Sequence, residues 1–315
     1  MNDLFLQRLC RETGVPDLPD LLCERLSPSD LSALLLEVYR RQAGGLTPAA
    51  LLSAYKKNRL VKPSAVHAVS FREFELEWLR AGVAAGFEAL ELSPVGPVGS
   101  CSAVATVHQH KVLSALRGTE VVADCTNILA LEASVRRQAA GYPTAPLHLC
   151  AAHRHLRTPQ THIPGFTAHF GVFCLISSGR DTGSFAFEKE KIVSHISLYL
   201  RMLRNIFENA RLMITLKALD TKPEQNPLFE AVSESIRSRF TDLPVLVTRI
   251  PRQQQEYYQA LQFGIVLEYQ GCEFPVIDGG FTDWTQKLTG NRKERFIASG
   301  IGLEFVWKLR TGQLG

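Results

Sequence analysis

Long apolar runs are missing from this chain. No stretch approaches the ~18 consecutive apolar residues that a membrane-spanning helix needs, so no such helix is expected. The start, MNDLFLQRLCRETG, mixes acid and base early and has no apolar segment followed by a small-residue cleavage site. No signal peptide is therefore expected, and a cytoplasmic location is. Charge of one sign is also scarce: 35 Lys and Arg face 31 Asp and Glu, a net of +4. That balance does not by itself argue for a nucleic-acid binder, which concentrates positive charge on one face. The seven cysteines (Cys10, Cys23, Cys101, Cys125, Cys150, Cys174 and Cys272) include no CxxC pair, and their number is odd. They read as reduced, mostly buried thiols, and no structural metal is expected. Internal repeats and low-complexity segments are absent.

What is present suits a globular protein: 315 residues, 45% hydrophobic and 21% charged, enough for a substantial core. Residues 1–65 read as a small helical N-terminal domain. Ser27-Pro28 and Thr47-Pro48 are helix starts, with Pro at the first helical position, ahead of Leu31, Leu34, Leu35, Val38 and then Leu51, Leu52, Tyr55. The segment closes on the basic stretch KKNRLVKPS, a solvated helix end or a contact for a protein or RNA partner. Residues 66–315 form the second unit. Phe71, Phe74, Trp78 and Val83 fall at near-helical spacing, stopped by Gly82 and Gly86, and an extended stretch runs from Phe87 to Pro94. Ile192, Ile196, Leu200, Leu203 and Phe207 line one helix face, and strand-like alternations follow at 212–216 and 245–247. Residues 261–280 predict two short strands joined by a turn at Gln270-Gly271. A closing helix carries Leu303, Val306, Trp307 and Leu309. The class this predicts is α+β, a mostly antiparallel sheet flanked by helices.

From about residue 70 onward, five segments together resemble histidyl-tRNA synthetase, a class II aminoacyl-tRNA synthetase, in order and spacing. The helix leading into GFEALELSP resembles motif 1, with Pro94 in the place of its proline; in the family this motif builds a dimer interface. VVADCTNILALEAS resembles the pocket segment usually written LRPEGT, with Asp124 for the glutamate, Cys125 for the glycine and Thr126 for the threonine. HLCAAHRHLRTPQTHIPGFTAHFGVF resembles motif 2, two antiparallel strands in which Arg154 takes the position of the arginine on the α-phosphate of ATP. EYYQALQFGIVLEYQGCEFPVIDGGFTDW resembles the amino-acid pocket, matching in kind at Tyr257, Tyr258, Gly279, Gly280 and Asp283. SGIGLEFVWKL resembles motif 3. The resemblance implies a class II synthetase-like core, a homodimer built on residues 71–94, an amino-acid or nucleotide ligand, and ATP with Mg as cofactors.

The departures bear on function. Amino-acid activation builds charge on phosphate oxygens and needs magnesium and fixed arginines. Leu156 stands where motif 2 of the family has a glutamate, and Phe305 where motif 3 has an arginine. Gln253 stands where an arginine precedes the double tyrosine, with Arg252 one residue away. The anticodon-binding domain that follows motif 3 in the family has no counterpart before Gly315. These features imply a paralogue that does not charge tRNA and acts as a regulatory or accessory protein, in kind like the regulatory subunit of ATP phosphoribosyltransferase. The alternative is an adenylate-forming ligase that passes an amino acid to a non-tRNA acceptor, with Arg154, Arg157 and the run Arg292-Lys293-Arg295 as an altered phosphate clamp.

Four further readings concern single residues and clusters. His148, Cys150, His153, His155, His162, His169 and Cys174 crowd the motif 2 segment, yet no spacing matches a known zinc pair. On a strand, His153 and His155 share one face, opposite Arg154, and could line a pocket without metal. Cys125 beside Asp124 reads as packing rather than a nucleophile, because the carboxylate opposes thiolate formation. Asp124 is either a ligand for an α-ammonium group or a helix N-cap. Gly279-Gly280 is most simply a tight turn at a strand end, with a pocket role only by resemblance.

Overall fold

The computed structural model describes residues 3–105, 107–159, 166–219, 226–250 and 257–314. Its centre is an eight-stranded sheet in the order β1-β4-β5-β10-β9-β8-β6-β7. The strands are β1 (Glu88–Ala89), β4 (Leu147–Leu156), β5 (His169–Arg180), β6 (Arg211–Leu219), β7 (Val245–Ile250), β8 (Gln259–Tyr269), β9 (Cys272–Thr282) and β10 (Glu294–Ile301). Pairing is antiparallel except at the two edges, where β1–β4 and β6–β7 run parallel. Each parallel pair is joined through a helix, because parallel neighbours need a crossover. β2 (Val95–Pro97) and β3 (Thr119–Val121) form a separate two-stranded ribbon. The sheet is mostly antiparallel and flanked by helices, an α+β architecture.

Alternation along the strands sends side chains to two different environments. On β4 and β5, Cys150, Phe173 and Leu175 face α5 (Ala68–Ala84), α7 (Ala186–Ile206) and α10 (Leu303–Arg310), in one large apolar core. Leu149, Ala151, Cys174 and Ile176 face α6 (Cys125–Ala139) and α9 (Trp284–Thr289), in a smaller one. Ile192, Ile196, Leu200, Leu203 and Phe207 are all buried in the large core, which also takes α8 (Pro227–Arg239). α6 is secured near its C-terminal end by Arg137, which pairs with Glu294 of β10 in full burial.

Three details differ from the sequence expectations. The predicted short strands at 261–280 are eleven residues each, joined by a two-residue loop in which Gln270 (φ 53°) and Gly271 (φ 78°) both adopt the left-handed conformation. That conformation matches the twist of a hairpin. Helix α5 does not stop at Gly82. Its backbone lies against β4 there, where an added Cβ would sit 2.8 Å from Cys150 Sγ, so the glycine serves packing while Val83 turns outward. In the N-terminal region, α1 (Asp3–Thr13) and α2 (Leu18–Glu24) are followed by α3 (Pro28–Gly44) and α4 (Pro48–Lys57). Ser27 and Thr47 cap α3 and α4 by accepting from Asp30 N and Ala50 N, both at 3.1 Å. The apolar faces expected to pack do not: Leu34, Val38, Leu51, Leu52 and Tyr55 are exposed.

Candidate functional site

A cavity of about 940 Å³ opens on the α6 side of the sheet, walled by β4, β5, β8, β9 and β10 and by the segment around Lys111. Asp124, Thr126, Arg157, Tyr257 and Tyr258 all line it. Asp124 is the N-cap of α6, and its Oδ1 accepts from Thr126 N at 3.0 Å and Thr126 Oγ1 at 2.7 Å. Its Oδ2 accepts from Tyr257 Oη at 2.7 Å. The cap and the cavity group are thus one carboxylate, and both readings of Asp124 apply together. Burial opposes ionisation of Asp124, but His155, Arg157 and the bonds from Tyr257 and Thr126 outweigh it and hold the carboxyl below its ordinary range. Tyr257 and Tyr258 are pushed well above the ordinary phenol range, by burial first and then by the neighbouring carboxylates. Both therefore act as donors.

The second tyrosine leads to a residue that sequence reasoning missed. Tyr258 Oη donates to Asp278 Oδ2 at 3.0 Å, and Gln262 Nε2 donates to Oδ1. Burial raises the Asp278 carboxyl, against Gln262, Tyr258 and the nearby Lys217. Asp278, Gln262 and Lys217 all line the cavity. The available signal was alternation, since position 278 shares a strand face with Gly280.

Gly279 and Gly280 are not a turn. Both sit within β9, paired to Ser299 and Ala298 of β10. An added Cβ at Gly279 would lie 2.5 Å from Phe263 and Ser299, and one at Gly280 would lie 2.7 Å from the Tyr258 ring. They permit close approach, and Gly280 leaves the room that the Tyr258 ring takes up. Asp283 accepts from Gln259 and pairs with Lys287 at 3.0 Å, and Trp284 packs on Tyr257.

Arg154 does not reach this cavity. Alternation on β4 turns it to the opposite face, where it pairs with Glu304 of α10 at 2.9 Å, lies over Phe71 and contacts His169. Glu304 is 1% exposed and also holds Lys308 at 2.9 Å and Ser64 at 2.6 Å. A carboxylate buried so deeply needs countercharge, and that need explains where Arg154 is spent. Arg154 therefore stands away from the cavity, whereas the resemblance sets it beside the α-phosphate of ATP. Arg157, three residues on, lines the cavity; its Nε donates to Ala123 O and its guanidinium lies over Phe170. Phe305 packs against Phe166 and Phe274. In the basic run, Arg295 is held by Asp181 and Glu188 at the far end of β10. Arg252, Gln253 and His162 lie outside the described residues.

The histidines divide as alternation dictates. His153 and His155 face the α6 side, and burial first, then His155, lowers His153 to about 4. His148 and His195 belong to the other side, where Ser177 and Ser299 bond them in a buried polar chain. Cys125, His155 and Cys174 cluster beneath the cavity.

Comparison of the fold with solved structures gives matches to histidyl- and threonyl-tRNA synthetases, of class II. The chain matches a histidyl-tRNA synthetase from S. aureus with TM-score 0.57 and 11% identity, over 80% of this chain and 69% of that one. An ATP phosphoribosyltransferase regulatory subunit/histidyl-tRNA synthetase from Bacillus halodurans matches with TM-score 0.57 and 11% identity, over 79% and 81%. The RNA binding domain of a threonyl-tRNA synthetase from Cryptosporidium parvum matches with TM-score 0.60 and 7% identity, over 76% and 63%. No family model matches the chain, and no curated protein matches it by sequence. The fold is that of a class II synthetase-like core.

Proposed function

We propose that this chain is a non-tRNA-charging paralogue of histidyl-tRNA synthetase that binds an amino acid or related nucleotide as a regulatory or accessory protein. The observation that carries this reading is the Asp124 carboxylate on the cavity wall. Three donors from Thr126 and Tyr257 fix its orientation, and one Oδ2 acceptor position remains among the described contacts. An ammonium group entering the cavity would meet a preoriented anion in a charge-assisted hydrogen bond. Among structures of this fold, the Bacillus halodurans protein carries both names, ATP phosphoribosyltransferase regulatory subunit and histidyl-tRNA synthetase, so the fold is compatible with a regulatory role as well as with charging. Arg154, committed to Glu304, supplies no phosphate contact in this reading.

The test is a thermal-shift screen with the twenty amino acids, ATP and adenylate analogues. A binder at 100 times its Kd stabilises the native state by about 2.7 kcal/mol. The reading expects at least one amino-bearing compound to raise Tm and its N-acetyl derivative not to. A screen in which no compound shifts Tm would sink it.

Arg157 favours a second reading, an adenylate-forming ligase for a non-tRNA acceptor, because it places one cation on the cavity wall near Asp124. ATP and Mg would then be cofactors, and amino-acid-dependent exchange of pyrophosphate into ATP would separate it from the first. The homodimer belongs to the same proposal. Val69, Leu76 and Val83 are exposed at seven-residue intervals on α5, a stripe that a twofold copy could cover. A monomeric sedimentation mass at micromolar protein would remove it. The exposed apolar residues of α3 and α4 make the N-terminal helices the region for a protein or RNA partner.

A further inference from the structure

The most concentrated group of metal-ligating atoms lies just under the cavity floor. Cys125 is the first residue of α6, His155 is near the end of β4, and Cys174 is in the middle of β5. Two sulfurs and one ring nitrogen lie within 4.8 Å of one another, and all three residues are buried. His155 is satisfied on one side only. Its Nε2 accepts from Cys125 N at 2.9 Å, while the buried Nδ1 has no hydrogen-bond partner among the described residues. Native interiors leave few buried polar atoms unpartnered, and each such atom asks for an explanation.

We propose that Cys125, His155 and Cys174 bind one thiophilic divalent cation, best matched by zinc, with a fourth coordination position open to the cavity. Zinc takes sulfur at ~2.3 Å and nitrogen at ~2.0–2.1 Å, so tetrahedral ligand atoms sit roughly 3.5–3.8 Å apart. The cluster reaches that spacing with movements of about 1 Å or less. Two sulfurs and an imidazole form a soft donor set that selects zinc over magnesium or calcium. On binding, each thiol loses its proton, and the two thiolates balance the charge of the ion. Ligation through Nδ1 gives the unpartnered nitrogen a partner and moves the ring proton to Nε2, so the Cys125 amide gives up Nε2 as its acceptor.

The surroundings leave room for the fourth ligand. His155 and Cys174 both line the cavity. Gly300 on the neighbouring strand has no side chain beside Cys174, where even a Cβ would come within 3.3 Å of Sγ. Three protein ligands with one open position describe a site that holds water or a donor atom of a bound molecule, rather than a closed structural site. The ligands come from three elements separated in sequence, so no spacing motif announces them. Nothing here depends on the ammonium reading, because metal content is measured without any organic ligand.

The experiment uses the full chain, stripped with a chelator and reconstituted with zinc or cobalt(II). One equivalent of metal should survive desalting, and the cobalt form should show a thiolate charge-transfer band and tetrahedral d–d bands. Cys125→Ser with Cys174→Ser should abolish both signals. A Cys10→Ser, Cys23→Ser, Cys272→Ser triple variant, which removes the more exposed thiols, should retain them. No metal retained by the wild type, or equal retention in the double variant, overturns the proposal. Should the double variant fail to fold by circular dichroism, X-ray absorption on the wild-type zinc form decides. Two sulfur scatterers with nitrogen support the site, and a shell with fewer than two sulfurs overturns it.

Discussion

The two faces of strand β4 hold their charge in opposite ways. Toward α5 and α10, Arg154 is neutralised by Glu304 in a packed region with Phe71 and Lys308. Toward α6, His155 sits in a cavity wall with Asp124, Arg157 and Cys174 nearby. One residue of register separates an arginine that stabilises the fold from a histidine that borders the site. Charge on the first face is closed on itself, whereas on the second it remains available to a ligand. Residue type alone therefore does not assign a role on a strand; the face does.

The largest expected effect breaks the closed face. Glu304→Ala would remove the buried carboxylate that pairs with Lys308 and Arg154, a kind of loss that costs about 3–5 kcal/mol. Burial raises the Glu304 carboxyl, but Ser64, Lys308 and Arg154 outweigh it and hold it below its ordinary range, so the ionised form is the one removed. Urea denaturation of the variant should show a lower midpoint with an unchanged slope. A change under about 1 kcal/mol would mean that the network is not the support described.

Acid should weaken the same face next. Burial first, then Lys191, lowers His148 to about 4; burial first, then His148 and Lys191, lowers His195 to about 3. These histidines are neutral in the fold at pH values where the unfolded chain, with a pKa near 6.5, takes up protons. Stability is therefore fully present above about pH 6.5 and falls as pH drops toward 4 and then 3. The slope is at most about 1.4 kcal/mol per pH unit for each histidine. Denaturation midpoints measured from pH 7 to 4 check this. A flat profile, or one unchanged by His195→Gln in a folded variant, would contradict it.

Much of this comparison was legible in the sequence. The helix starts at Ser27 and Thr47, the α7 face from Ile192 to Phe207, and the hairpin at Gln270-Gly271 follow from local chemistry. Alternation already set His153 and His155 opposite Arg154, but motif resemblance placed Arg154 at the ligand. What tipped the outcome is Glu304, 150 residues away, whose burial requires a cation and whose partner no local pattern reveals. The Cys125–His155–Cys174 cluster was hidden for the same reason, and so was the role of Gly279-Gly280, which depends on rings arriving from β8 and the Tyr257-Tyr258 pair. The exposed faces of α3 and α4 show the converse limit: helical periodicity finds an amphipathic face but not whether anything covers it.

A smaller effect sharpens the open face. Asp124→Ala removes the oriented carboxylate and should weaken an ammonium-bearing ligand by about 1.5–3 kcal/mol. Its cost to stability should exceed the ~1 kcal/mol of a lost N-cap, because the Tyr257 and Thr126 hydroxyls lose their carboxylate acceptor as well. Calorimetric titration with the best compound from the thermal screen, beside denaturation of the variant, separates the two. Unchanged affinity with lowered stability would reduce Asp124 to its capping role.

The smallest effect contrasts the two arginines directly. Arg157 is exposed at the cavity, so solvent screens its contribution, and Arg157→Ala should weaken an anionic ligand such as ATP or an adenylate by about 1 kcal/mol, roughly fivefold. Arg154→Ala should leave that affinity within twofold, because its guanidinium points through the other face to Glu304. It should instead lower stability, since Glu304 keeps Lys308 and Ser64 but loses one of its two cations. The pair of variants thus separates along two axes, binding for Arg157 and stability for Arg154. Fluorescence titration with a labelled nucleotide and urea denaturation on both proteins read the two axes independently. The reverse pattern, with nucleotide affinity lost in Arg154→Ala and kept in Arg157→Ala, would mean that β4 presents its other face to the ligand in solution.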